Sequence, residues 1–319
     1  MKKEEVLELA KKNGFDAIKA DVLKLEASGR EYYRLHIDNH NSLVMCYLNP
    51  DKGDHNKFIH VANFFRNSNI NCPEIILVEQ KTGVVIQQDL GDDSLIDINL
   101  NDNPELLKKS VKLLSQIQTA HIPQINKLDD ESLAMQMETM QSVFVEKYLS
   151  LKKIEELKIL QSKVLLRLSE QPWMNCHFDF ERRNLMLDSN QEISVIDFQD
   201  LCIGPVGIDL AGILVDHYIP YSNDLSSSAI EHYIKCIQLD VGVEDVFEWL
   251  RWGGIQRNMR ILGTLSNLYI QDNRTFRLKD LPRILENLIT LLPNDEFMSL
   301  KENLSSIVMP KLLLELKAL

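Results

Sequence analysis

Residues 177–200 constrain this chain more than any other stretch. They read His177-Phe178-Asp179-Phe180-Glu181-Arg182-Arg183-Asn184, then Leu185-Met186-Leu187, a polar turn at Asp188-Ser189-Asn190, and Ile193-Ser194-Val195-Ile196 ending in Asp197-Phe198-Gln199-Asp200. Two short apolar runs around turn-forming residues predict a β-hairpin. Such a hairpin carries Asn184, before its first strand, and Asp197, after its second, to one edge, a metal-width apart. Both side chains offer oxygen, which suits a hard cation that keeps several waters. His177 is read as packing and hydrogen-bonding inside the loop rather than as a base.

The pattern H-x-D-x-x-x-x-N, followed by a hydrophobic strand ending in Asp-Phe, resembles the catalytic core of kinase-like phosphotransferases. Phosphoryl transfer needs an oriented hydroxyl, magnesium on the phosphates and positive charge at the transferring oxygens. The resemblance implies that Asp179 accepts the proton of the attacking hydroxyl and that Asn184 and Asp197 hold Mg2+.

The remaining composition narrows the setting. A chain of 319 residues, 45% hydrophobic, has the material for one large or two modest domains. A net charge of −12 argues against nucleic-acid binding, which wants a basic face. No apolar run approaches the roughly 20 residues needed to span a bilayer, and Met1-Lys2-Lys3-Glu4-Glu5 places charges where a signal peptide has its apolar region. The five cysteines, Cys46, Cys72, Cys176, Cys202 and Cys236, form no C-x-x-C pair and read as reduced thiols of a cytoplasmic protein. Cys176 beside His177 reads as packing rather than as a nucleophile.

From the N-terminus, residues 2–13 predict a charged amphipathic helix closed by Gly14. Residues 19–25, 31–37, 42–48, 74–79 and 84–89 predict strands, rich in β-branched and aromatic residues. A helix over 54–67 places Phe58, Val61, Ala62 and Phe65 on one face. The kinase-like resemblance implies that Gln87-Gln88-Asp89-Leu90-Gly91-Asp92 is the linker between lobes, with the backbone at Gln88, Asp89 and Leu90 expected to hydrogen-bond an adenine ring. Beyond it the chain turns helical, with Asn103 as N-cap and Pro104 at the first helical position. Further helices are expected near 131–150, 153–169, 206–218, 226–238, 243–270, 280–291 and 295–318. The expected class is α+β, a bilobal protein-kinase-like fold: a small antiparallel β N-lobe over residues 1–91 that binds the nucleotide, and a larger, mainly helical C-lobe over 92–319 with the catalytic loop and acceptor site.

Three further segments sharpen the resemblance. Ala27-Ser28-Gly29-Arg30-Glu31-Tyr32-Tyr33-Arg34, Ile196-Asp197-Phe198-Gln199-Asp200 with Gly204-Pro205 and Asp209-Leu210-Ala211, and Gln256-Arg257 with Asp280-Leu281-Pro282-Arg283 are similar to segments of the aminoglycoside phosphotransferase-like superfamily. Within it they are most similar to the bacterial anomeric kinases of N-acetylmuramate and N-acetylglucosamine. The resemblance implies ATP-dependent formation of a sugar 1-phosphate in peptidoglycan recycling. It also implies that Arg183 neutralises phosphate or orients Asp179, that Ser28 and Arg30 contact the nucleotide, and that Gln199 and Asp200 lie near the sugar. Arg257 suits a substrate carboxylate, which a guanidinium pairs bidentately; a helix-surface ion pair is the other reading. Asp209 reads as a cap or loop brace.

The chain departs from protein kinases in three ways. The third strand, Leu43-Val44-Met45-Cys46-Tyr47-Leu48, has no Lys, the next helix has no Glu, and no G-x-G-x-x-G loop is present. Arg30 and Arg34 are the nearest cations for the phosphates, with bracing of the sheet as the alternative role. A kinase of an aminoglycoside, choline or another small molecule, and a nucleotide-binding regulator without turnover, remain as alternative readings.

Overall fold

The computed structural model describes residues 1–25, 29–39 and 41–318. Ser28, expected at the nucleotide, lies outside the described residues. The chain divides into two compact units: Met1–Leu95 with Arg183–Gln199, and Ile96–Arg182 with Asp200–Leu319. The hairpin segment read from the sequence as part of the C-lobe thus clusters with the N-terminal unit.

In the first unit, β-branched and aromatic runs form strands where the sequence places them. Helix α1 (Lys3–Lys12) is followed by β1 (Lys19–Leu25), β2 (Glu31–His36), β3 (Ser42–Tyr47), α2 (Asn56–Asn67), β4 (Ile75–Glu79) and β5 (Val84–Gln88). Gly14, at φ +90°, closes α1 in the left-handed conformation open to glycine. The strands pair antiparallel in the order β1-β2-β3-β5-β4. One face of the sheet buries Ala20, Tyr33, Leu35, Met45, Val84 and Ile86 with Val6 and Ala10 of α1. Phe58, Val61, Ala62 and Phe65 all lie on the buried side of α2.

The second unit is helical. It contains α3 (Pro104–Thr119), α4 (Asp130–Thr139), α5 (Glu156–Ser169) and a strand β6 (Trp173–Cys176). The hairpin β7 (Leu185–Leu187) and β8 (Ile193–Val195) belongs to the first unit. The second unit resumes with β9 (Cys202–Pro205), α6 (Val206–Leu214), α7 (Asn223–Ile237), α8 (Val243–Asp272), α9 (Leu281–Leu291), α10 (Asn294–Asn303) and α11 (Met309–Lys317). Helix α8 is its axis. Gly253 of α8 meets Gly207 of α6 so closely that a Cβ on Gly253 would stand 2.0 Å from the Gly207 carbonyl carbon. Two glycines at one crossing let the backbones approach to a distance no side chain permits.

Several expectations need correction. The helix expected over 131–150 is α4 followed by a π-helical stretch, Met140–Tyr148, and that over 295–318 is α10 and α11 separated by another, Leu304–Val308. The helix expected to reach 218 stops at Leu214 because Val215 leaves helical geometry and Asp216 turns in to meet Arg182. Strands β6 and β9, which pair antiparallel, carry no pattern long enough to read from sequence. No helix among the described residues is long and apolar enough to cross a membrane.

Candidate active site

The hairpin is built as its sequence demands. Asp188 Oδ1 accepts from the backbone N–H of Asn190 and Glu192, both at 2.8 Å, closing the turn. Leu185 pairs with Val195, and Ile196 N–H donates to the Asn184 carbonyl at 3.0 Å. Asn184 and Asp197 therefore flank the open end together. The hairpin is anchored within its own unit: Val195 N–H donates to Asn71 O and Leu187 N–H to Asp93 O, each at 2.9 Å. Phe198 stacks on Phe58 with centroids 5.0 Å apart and meets Phe65 edge-on. Asp197 sits at φ +66°, a conformation non-glycine residues avoid unless their surroundings impose it. Gln199 Nε2 donates to Asp197 Oδ1 at 2.5 Å, orienting that carboxylate.

Beside it lies a cavity of about 260 Å³. Val44, Phe58, Pro73, Met186, Ile196 and Phe198 supply apolar wall, and Gln88, Asp89 and Leu90 a polar edge. Arg34 Nε meets Asp89 at 2.6 Å and its Nη1 meets Asp92 at 2.8 Å, while Nη2 donates to Gly91 O. Arg34 thus braces the linker, and its charge is taken up by carboxylates rather than held open for phosphate. Burial alone would raise the Asp89 carboxyl; hydrogen bonds from Arg34, Ser42 and the Gly91 N–H outweigh it and hold it below the ordinary carboxylate range. Arg30 stands half-buried just before β2, its Nε without a hydrogen-bond partner among the described residues. Arg183 and Asp197 also line the cavity.

The Asp179 loop, in the second unit, is held by a different set of residues. Asp209 of α6 is fully buried and accepts from the backbone N–H of His177 at 2.5 Å and of Phe178 at 2.8 Å. Burial raises its pKa; the neighbouring His177 and these two N–H groups oppose the rise. Asp209 is thus the brace the sequence suggested. Phe178 adopts φ +76°, and Gly212 lets the Phe180 carbonyl approach so closely that a Cβ would meet it at 2.3 Å. His177 is buried in the loop with its ring edge-on to Phe180. Cys176 is buried, and burial pushes its thiol well up, which suits a packing role.

Arg257 is not where the sequence reading put it. Its side chain is 1% exposed, with Nη2 2.6 Å from Glu181 and 3.8 Å from Asp179 Oδ1. It is therefore no surface ion pair: Glu181 engages Nη2, while the buried Nε has no hydrogen-bond partner among the described residues. Glu181 also meets Arg277 and His217, each at 3.6 Å. Neither Glu181 nor Arg277 was legible as a partner, since their pairing joins segments far apart in sequence. Asp179 itself keeps 28% of its side-chain surface open, and Asp200 is exposed.

Residues 23–240 match the sequence profile described as the phosphotransferase enzyme family. The chain belongs to this family. It is 27% identical over 278 residues to an N-acetylmuramate/N-acetylglucosamine kinase of Neisseria meningitidis, covering 82% of each chain. A protein of the same name from Pseudomonas aeruginosa is 26% identical over 88% of this chain and 86% of its own. Among solved structures, a choline kinase from Streptococcus pneumoniae superposes with a TM-score of 0.65 at 11% identity, over 90% of this chain and 99% of its own. A spectinomycin phosphotransferase bound to ADP and spectinomycin gives 0.61 at 15% identity, covering 90% and 94%. The fold is thus protein-kinase-like, and the enzyme is a phosphotransferase with an alcohol group as acceptor.

For a phosphotransferase of this family, the hairpin end fits magnesium. Its donors are a carboxylate and a carboxamide on one edge. Among the described residues no group of three or more His, Cys, Asp or Glu forms a metal cage. Magnesium does not need one, because it is usually held by one or two protein oxygens, waters and substrate phosphates.

Proposed function

We propose that this phosphotransferase transfers the γ-phosphoryl group of ATP to the anomeric C1 hydroxyl of N-acetylmuramate and N-acetylglucosamine, the chemistry of peptidoglycan recycling. The observation that carries this reading is the similarity to kinases of those two sugars over more than four-fifths of the chain. The aminoglycoside and choline kinases share the fold at much lower identity.

In this reading the purine lies in the cavity of the first unit, between the apolar wall and the backbone of Gln88, Asp89 and Leu90. Asn184 and Asp197 hold Mg2+, which when bound neutralises phosphate oxygens. Gln199 acts by orienting Asp197 rather than by touching the sugar. Arg183 supplies positive charge toward the phosphates, with Arg30 as a second cation. Asp179 orients the acceptor hydroxyl and takes its proton, and Asp200 contacts the sugar. Arg257 and Glu181 keep Asp179 in place.

The test is coupled ATP turnover with magnesium on N-acetylmuramate, N-acetylglucosamine, glucose, an aminoglycoside and choline. Turnover on the two N-acetylated sugars, with acid-labile phosphate at C1, is expected. Turnover confined to an amine would replace the acceptor. Nucleotide binding with no turnover across the panel would favour a regulator.

A further inference from the structure

Arg260 stands one helical turn after Arg257 on α8 and reaches the same loop, yet the two arginines are differently engaged. Arg257 has the Glu181 carboxylate. Arg260 Nη2 donates to the Phe178 carbonyl at 3.0 Å, and its guanidinium lies over the Phe178 ring, 4.3 Å from the centroid. Among the described residues no carboxylate pairs with it, and its buried Nε has no hydrogen-bond partner. A guanidinium carries five N–H donors and cannot shed its charge. Burial pulls the Arg260 pKa down, while the nearby Asp179 charge pulls it up. A half-buried cation whose Nε has no partner among the described residues therefore stands beside the loop that carries Asp179.

We propose that Arg260 binds an anionic oxygen of the acceptor, so that the enzyme selects sugars bearing a carboxylate. The proposal rests on the sugar-kinase reading and deepens it. N-acetylmuramate differs from N-acetylglucosamine by a lactyl ether that ends in a carboxylate. A charge-assisted pair with Arg260 favours the first sugar over the second. A cationic acceptor, such as choline or an aminoglycoside, would instead meet Arg260 as a like charge. Arg257 differs in that one carboxylate, Glu181, already neutralises its charge.

The experiment compares kcat and KM for N-acetylmuramate, its neutral lactyl carboxamide and N-acetylglucosamine, in wild type, Arg260→Met and Arg260→Lys. The wild type is expected to favour the acid over the carboxamide by roughly 10- to 100-fold, mainly through KM. Arg260→Met should bring that ratio to near one, and Arg260→Lys should keep part of it. If the methionine variant does not fold, a lysine-variant ratio below the wild-type value supports the proposal and an unchanged ratio overturns it. A residue that only braces the Phe178 turn would lower all three acceptors together and leave the ratio as in wild type, which would overturn the proposal. An acid-to-carboxamide ratio of one in wild type, with both sugars turned over, would also overturn it while the sugar-kinase reading stands. Turnover of neither sugar by wild type would remove that reading and this proposal with it.

Discussion

At the scale of single residues, Asp179 and Asp89 both serve as carboxylates, one open and one paired. Asp179 stays partly open and is the proposed base. Asp179→Asn is expected to lower kcat by roughly 100- to 10,000-fold while leaving ATP binding largely in place, as read by nucleotide titration. Equal turnover in the variant would remove Asp179 from the mechanism. Asp89 is held ionised by Arg34, Ser42 and Gly91. Asp89→Asn should cost about 2 kcal/mol at neutral pH, the scale of a lost charged hydrogen bond. Because the folded-state pKa is depressed below the ordinary value of 3.8, that stabilisation is present above the ordinary value and is lost as pH falls through the folded one. The gap in urea midpoint between wild type and Asp89→Asn should therefore hold through neutral pH and close in acid. A gap independent of pH would show that the ionised carboxylate contributes nothing.

Among the elements, the α6–α8 crossing has the least room. Both helices hold the Asp179 loop, α6 through Asp209 and α8 through Arg257. Their spacing depends on Gly207 and Gly253 meeting backbone to backbone. Gly253→Ala forces a methyl group against the Gly207 backbone and should destabilise by about 1–3 kcal/mol, as overpacking does. Calorimetry should find a lower thermal midpoint; an unchanged one would mean that the crossing yields easily. The hairpin depends on local rules instead. Its turn closes through Asp188 and its register follows the alternation of Leu185, Leu187, Ile193 and Val195.

For the whole molecule, the proposed nucleotide and metal sites couple to stability. Ligand at about 100 times Kd adds about 2.7 kcal/mol to a fold that alone binds it, so MgATP should raise the thermal midpoint. Asp197→Asn should remove the magnesium-dependent part of that rise. Asparagine tolerates the left-handed φ of +66° found there, so a change confined to the magnesium response would assign the effect to the carboxylate. A full magnesium response in the variant would remove Asp197 from the metal site.

Local pattern was enough to place the five strands of the first unit, the buried face of α2 and the hairpin that brings Asn184 and Asp197 together. Each depends on side-chain alternation, helical periodicity or turn chemistry within a dozen residues, and such signals survive in the sequence alone. The tertiary structure alone decided that Arg34 braces the linker through Asp89, 55 residues away, that Glu181 claims Arg257 across 76, and that β6 and β9 pair. It alone also decided that Arg260 stands beside Asp179's loop with no carboxylate paired to it among the described residues. The charge pairings among these turn on which charges are desolvated together when distant segments pack. Desolvation depends on the full set of neighbours a side chain meets, and no local spacing records that set.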